Sequence, residues 1–328
     1  MCHIRQQSFA YCRAEPVIQG WKYGTFCYDT YTSDMAKICK DDEFVIFADE
    51  TCLIWAGDDL SSLTDQVNER LAVVFDWCCY NKLSLNPSKC SYMLFTNKIV
   101  IDDPVICLDS NHINRAKEFK YLGIYLDDGL KHHKQLDFLC GKMARLCGVS
   151  YRLKRHLDIR SAKKVYFSCI YSVITYCLCI WGGVLQCTER GQRIIKLHEK
   201  AIKNLFSEFC PPDVCIFKYM KLLKLKDIHK LYVSVYMFKV IKLNNCPTLQ
   251  INLDLKYPQH DYFTRNHDNP IVPFPRVSSL RINFKYQCSK IWNDLPENIK
   301  NETTLQKFKK SLVNHFLDQY WCYSQREN

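Results

Sequence analysis

Residues 43–55 read "EFVIFADETCLIW": two apolar segments separated by Asp49 and Glu50. Residues 43–48 and 52–56 have the length and the β-branched and aromatic content of short strands. In a strand, adjacent side chains point to opposite faces. At a tight apex the backbone turns, and two neighbouring carboxylates can approach one region. Acidic turn residues are common for solubility alone. Here the apolar content on both sides argues for more, because a hairpin buried up to an acidic tip suggests a cation held at that tip. Carboxylates with open coordination positions suit Mg²⁺, which keeps waters and fills its shell from substrate phosphates.

Outward from the hairpin, Gly57-Asp58-Asp59 is a turn and Asp59 an N-cap. Leu60, Leu63, Val67, Leu71, Val74 and Cys78 follow with helical spacing to an end near Tyr80-Asn81. A Pro87-centred turn leads to a strand over Ser91 to Thr96. "IVIDDPVICL" (99–108) holds two apolar pieces split by Asp102-Asp103-Pro104, and residues 119–127 are a further strand candidate. After Asp128 helical patterns run from about Lys131 to Cys210 and from Val214 to Leu243. Residues 244–279 hold several Pro and read as loops. A last helix starts near Thr303, where Thr303-x-x-Gln306 fits a capping box ahead of a Leu305, Phe308, Leu312, Phe316 stripe. The expected class is α+β: a small antiparallel sheet with helices, then a mainly helical remainder.

The chain has 328 residues, enough for two or more domains, and 48% are hydrophobic. A net charge of +11 points to a polyanionic partner, nucleic acid being the commonest. The start "MCHIRQQSFAYCRAEP" has no apolar signal-peptide core, so a nuclear or cytoplasmic place and free thiols are expected for the 20 Cys. Cys177-Leu178-Cys179 and Cys210-x4-Cys215 lack the second pair that structural zinc requires. Residues 165–188 carry no charge and are long enough to span a bilayer. Ser168, Ser172, Thr175, Gln186 and Gly182-Gly183 interrupt them, and an all-apolar helix equally suits the centre of a helical domain. The membrane reading is set aside on that ground. No nucleotide-binding Gly-rich loop, His-Glu-x-x-His or nucleophile elbow occurs.

The ordered blocks around the acidic pair resemble the reverse transcriptases of non-LTR retrotransposons, near the jockey-like group. Phe47-Ala48-Asp49-Glu50-Thr51 stands where that family reads Phe-Ala-Asp-Asp-Thr, and "NKLSLNPSKCSYMLF" (81–95) is similar to the block that follows. "PVIQGWKYGTFCYDTYTSDM" (16–35) is similar to the Val-Pro-Gln-Gly-Ser segment and its helix, with Ile18 in place of Pro and Trp21 in place of Ser. "FKYLGIYLD" (119–127) looks like the primer-grip strand pair, and the helices beyond it are similar to thumb and post-thumb regions.

The resemblance implies a partial polymerase palm over 1–128, a helical thumb-like region over 129–210 and a helical or irregular C-terminal region over 211–328. It implies DNA synthesis on an RNA template by two-metal nucleotidyl transfer. Mg²⁺ or Mn²⁺ would be held by Asp49, with Glu50 in the accessory position. By the same resemblance Lys89 lies near the leaving pyrophosphate. Gln19 and Gly20 meet nucleotide and template. Phe119, Tyr121, Leu122 and Gly123 grip the primer. The implied partners are RNA template, DNA primer and deoxynucleoside triphosphates. Lys142, Arg145, Arg152, Lys154, Arg155, Lys163 and Lys164 lie in a span whose acids are few. With that resemblance they read as contacts to the nucleic-acid backbone, salt-sensitive and sequence-independent.

The family needs another metal-binding Asp from an earlier palm strand, and residues 1–18 contain none. The fingers and that strand are therefore expected to be missing, the sheet to expose unpaired edges, and the isolated chain not to polymerise. The alternative reading is a non-catalytic basic nucleic-acid-binding protein derived from such an element.

Overall fold

Alternating apolar residues in the first third and a 3.6-residue period in the rest divide the molecule into two compact units, Met1–Lys131 and His132–Asn328. The computed structural model describes residues 6–13, 24–38, 43–47, 50–243, 255, 269–274 and 282–320. The boundary expected near residue 210 falls inside the second unit, whose buried side chains run from Leu136 to Tyr320 in one core.

In the first unit β1 (Gln6–Arg13), β2 (Glu43–Phe47), β3 (Glu50–Gly57), β4 (Ser91–Phe95), β5 (Ile106–Leu108) and β6 (Asn111–Arg115) form one sheet in the order β2-β3-β1-β4-β6-β5. All neighbours are antiparallel except β4 and β6, where Ser91 stands beside Asn114 and Tyr92 beside Arg115. The expectation of a sheet that lacks a central strand is corrected. β1 pairs with β3 from Gln6↔Gly57 to Arg13↔Glu50 and with β4 from Gln7↔Phe95 to Tyr11↔Ser91. Its backbone donors and acceptors complete the ladders on both sides, and the described edges are β2 and β5.

Helix α1 (Gly24–Tyr31) precedes β2, and α2 (Leu60–Tyr80) follows β3. The apolar stripe puts Leu63, Val67, Leu71, Val74 and Cys78 of α2 in the core with Leu53, Trp55 and Tyr92. Asp59 accepts a 2.8 Å hydrogen bond from the Ser62 amide and so satisfies one orphan donor of the first turn. Of the two apolar pieces in 99–108 only Ile106–Leu108 is a strand. Ile99 and Ile101 are 95% and 91% exposed. A separate hairpin, β7 (Glu118–Tyr121) and β8 (Ile124–Asp127), closes the unit.

The second unit is helical: α3 (His133–Leu153), α4 (Ile159–Val165), α5 (Ser172–Thr175), α6 (Leu178–Trp181), α7 (Glu189–Phe206), α8 (Ile216–Met220), α9 (Leu225–Ile241), α10 (Phe284–Asn293), α11 (Glu297–Lys300) and α12 (Leu305–Asp318). The uncharged stretch is a chain of short pieces. A π-helical turn spans Tyr166–Tyr171, and Cys177 takes φ 50° at a break. Among the described residues no single helix is long and apolar enough to cross a membrane. The one bent pair that passes by length and composition, Ile159–Thr175 with Leu178–Val184, buries Tyr166, Ile170, Ile174, Leu178 and Trp181 in the core. Gly182 is required where it stands, because a Cβ there would lie 2.2 Å from His229 Cδ2.

On α12 the cap is Thr304, whose hydroxyl accepts from the Lys307 amide at 3.3 Å, one residue beyond the expected Thr303. Phe308 of that helix stacks on Phe238 at 4.5 Å. Most of the loops expected over 244–279 lie outside the described residues.

Candidate functional site

The register of the acidic hairpin pairs Phe47 with Glu50, and Glu50 also stands opposite Arg13 of β1. Glu50 is therefore the first residue of β3 rather than a member of the connection, which corrects the expectation that both acids sit at the apex. Asp49, Gln19 and Gly20 lie outside the described residues.

β3 is buried on both faces at Thr51, Cys52 and Leu53. Leu53 and Trp55 join α2 in the core, while Cys52 and Tyr121 line a small cavity with Met93, Phe95, Phe119 and Leu126. The lining draws on β3, β4 and both strands of the β7–β8 hairpin, so that hairpin lies against the sheet. Burial, with the neighbouring Cys52 and Glu50 adding to it, pushes the Tyr121 hydroxyl up to about 12. Burial alone pushes the Cys52 thiol up to about 12. Tyr121 is thus a neutral hydroxyl beside Glu50 at physiological pH.

Glu50 Oε2 is buried and has no hydrogen-bond partner among the described residues. A buried carboxylate oxygen without a donor is costly, and a cation is one physical way to satisfy it. Among the described residues no group of three or more His, Cys, Asp or Glu is arranged to hold a metal ion. Among the described residues the donor set offers a divalent ion one unpartnered carboxylate oxygen, that of Glu50.

Between β7 and β8 the two-residue turn is Leu122-Gly123, with φ 45° and 83°. Positive φ at both central residues matches a type I′ turn, whose twist suits a hairpin. The Asp128 amide donates to Lys117 O at 3.1 Å and closes the base of the hairpin. Arg115 pairs with Asp103 and, at 3.6 Å, with Asp128, tying β6 to the loop before β5 and to the hairpin's exit. Lys89 ends a 3₁₀ turn, Pro87–Lys89, fixed by Asn86. Asn86 Oδ1 accepts from the Ser88 amide at 3.1 Å and Asn86 O from the Lys89 amide at 3.0 Å. Lys89 is exposed, and its turn lies against β1 and β6.

In the second unit the expected backbone contacts separate into two groups. Arg145, Arg152, Arg155 and Lys164 are exposed. Lys154 pairs with Glu208 at 3.6 Å, Lys142 lies 5.8 Å from the Phe138 ring, and Lys163 is half-buried. α7 falls in the expected helical span, but its basic residues are absent from the expected contacts. Its Arg193, Lys196, Lys200 and Lys203 are all exposed, and their three- and four-residue spacing was readable from the sequence.

Compared with known proteins, residues 3–126 match the family model described as reverse transcriptase (RNA-dependent DNA polymerase). The chain is 24% identical over 176 residues to the RNA-directed DNA polymerase from mobile element jockey of Drosophila funebris, covering 51% of this chain and 19% of that protein. It is 26% identical over 208 residues to the probable RNA-directed DNA polymerase from transposon BS of Drosophila melanogaster, covering 60% and 22%. The chain thus spans about a fifth of the length of the curated relatives it matches. No solved structure matches it.

Proposed function

We propose that this chain, whose first unit belongs with the reverse transcriptases of non-LTR mobile elements, holds a primer–template duplex at the junction of two hairpins. The observation that carries the reading is the placement of Tyr121, on the primer-grip-like hairpin, within electrostatic reach of Glu50 at the start of β3. A primer 3′ end gripped by Phe119, Tyr121, Leu122 and Gly123 would then face the acids of the β2–β3 hairpin.

Asp49 and Glu50 are proposed to hold Mg²⁺ or Mn²⁺, with Glu50 offering its unpartnered Oε2. A divalent ion bound there would supply charge stabilisation to the attacking and leaving oxygens. Tyr121, kept protonated, can donate a hydrogen bond to a phosphate or sugar oxygen. Lys89 is proposed to meet a departing pyrophosphate, and Gln19 and Gly20 to meet nucleotide and template. Lys142, Arg145, Arg152, Lys154, Arg155, Lys163 and Lys164 are proposed to track the duplex backbone, Lys142 and Lys154 with less reach than the rest.

β1, the strand in register with β3, reads QQSFAYCR and contains no acid. It therefore offers no carboxylate to bridge two ions beside the hairpin, and nucleotidyl transfer depends on that bridge. The proposed role of this chain alone is duplex binding with little synthesis.

The test is an RNA-template, DNA-primer substrate given to the whole chain with deoxynucleoside triphosphates and Mg²⁺ or Mn²⁺. The expected result is salt-sensitive binding with extension at background. Templated extension would refute the argument from β1, and absence of binding at low salt would refute the assignment to nucleic acid.

A further inference from the structure

We propose that α3 and α7 form a groove for the sugar–phosphate backbone of one nucleic-acid strand. Arg145 and Arg152 form one wall, Arg193, Lys196, Lys200 and Lys203 the other, and Gly141, Ala144 and Gly148 the floor. The proposal rests on the nucleic-acid reading above and adds a helix and a shape to it.

The two helices run side by side in the same direction. Cys140 Sγ donates to Arg190 O at 3.6 Å, and seven residues further along both helices Cys147 Sγ donates to Leu197 O at 3.1 Å. Asn204 Nδ2 donates to Cys147 O at 3.0 Å, and Arg190 pairs with Asp137 at 2.7 Å. Helices packed this way have axes about 8–10 Å apart.

On α7 the buried side holds Ile194, Ile195, His198, Ala201, Ile202 and Leu205. The opposite side presents Arg193, Lys196, Lys200 and Lys203 along about 15 Å of helix. This row borders α3. Arg193 is close enough to Cys140, and Lys200 to Cys147, for each charge to offset part of the upward push that burial gives the thiol.

On α3 the residues one step outward from Cys140 and Cys147 are Gly141, Ala144 and Gly148, all exposed. A Cβ added at Gly141 or Gly148 would meet nothing within 4 Å. One step further round the helix come Arg145 and Arg152, seven residues apart on one face and both exposed. The cross-section is thus basic, small, basic. A low floor lets a backbone settle between the rows, so that both can reach the same phosphates.

A merely solvated helix face usually mixes its charges. Residues 133–206 carry fourteen Lys and Arg against four Asp and Glu. Two of the four acids are already engaged, Asp137 with Arg190 and Asp158 as the cap of α4. Glu189 lies in the first turn of α7, where an acid complements the helix dipole. That leaves Glu199 as the one acid at the margin of the row. The charge balance therefore suits a polyanion running along both helices.

The test uses fluorescence anisotropy of the full chain with labelled single-stranded DNA, single-stranded RNA and an RNA/DNA duplex, each titrated across salt. R193Q/K200Q is expected to weaken single-strand binding about tenfold and to flatten the log–log salt slope by about 1.4, two contacts at about 0.7 each. G148L keeps every charge, fills the floor, and is expected to weaken binding while leaving the melting temperature unchanged. If both variants bind like the unmodified chain, which itself binds with a steep salt slope, the groove is refuted and the broader reading stands. If the unmodified chain binds none of the three nucleic acids at low salt, both fall.

Discussion

Glu50 is a half-buried acid at the first position of β3. Its Oε2 is buried without a hydrogen-bond partner among the described residues, and it opens a strand whose next three residues, Thr51, Cys52 and Leu53, are buried. The physics of an unsatisfied carboxylate predicts a gain when it is removed and no cation is present. Glu50→Gln is expected to leave or raise the melting temperature in chelator and to lose any Mn²⁺-induced increase that the unmodified chain shows. Two buried histidines make a second residue-level prediction. Burial pulls His198 down to about 3 and His229 to about 4, from 6.5 in the unfolded chain. Between those values the unfolded state binds more protons, so their stabilisation is complete above about pH 6.5 and falls as pH falls through the window. Urea unfolding at pH 5 is expected to show a loss on the order of 2 kcal/mol per histidine relative to pH 7.5. A flat profile for the second unit would contradict the burial of these rings. At Gly182, alanine would drive a methyl group into His229. A cost of about 1–3 kcal/mol is expected from overpacking, measured by the same unfolding curves.

At the scale of the element, what could be read from the chain followed period and spacing. Leu63, Val67, Leu71, Val74 and Cys78 with Asp59 ahead of them specify α2, its buried face and its start. Asp59→Ala is expected to cost about 1 kcal/mol and lower the melting temperature of the first unit. Strand ends were less legible because a strand ends where its partner does. Glu50 belongs to β3 through register with Phe47 and Arg13, which no local pattern announces. Asn111–Arg115 has a single buried apolar residue, Ile113, and is a strand through its neighbours β4 and β5. Ile99 and Ile101 carry the apolar signal without a partner to pair with and stay exposed. The helical patterns expected from Lys131 to Cys210 divide into several helices, with breaks after Leu153, at Cys177 where φ turns positive, and at Gly182 beside His229. The Leu122-Gly123 turn was legible as a strand pair but not as a strained one. Gly123→Ala places a Cβ at φ 83° and is expected to destabilise the hairpin by about 1–2 kcal/mol. Its readout is lost protection of the β7–β8 amides in hydrogen exchange.

At the scale of the molecule, each unit contributes a different half of the proposed activity. The first packs the primer-grip-like hairpin, a two-stranded sheet of its own, against the sheet that contains β3. The second carries basic rows on helices built around a separate core. The surplus of positive charge in residues 133–206 is legible in the sequence, whereas the pairing of its α3 and α7 parts is not. What folding adds is the parallel packing of α3 on α7, which sets two rows fifty residues apart beside one another. The most direct measurement of the central claim is Fe²⁺-mediated cleavage of the protein backbone, with Fe²⁺ in place of Mg²⁺ and the cut sites mapped by mass spectrometry. The account predicts cuts at residues 48–51 together with residues 119–123, both abolished by Asp49→Asn. Cuts confined to other segments, or an unchanged pattern in Asp49→Asn, would contradict it.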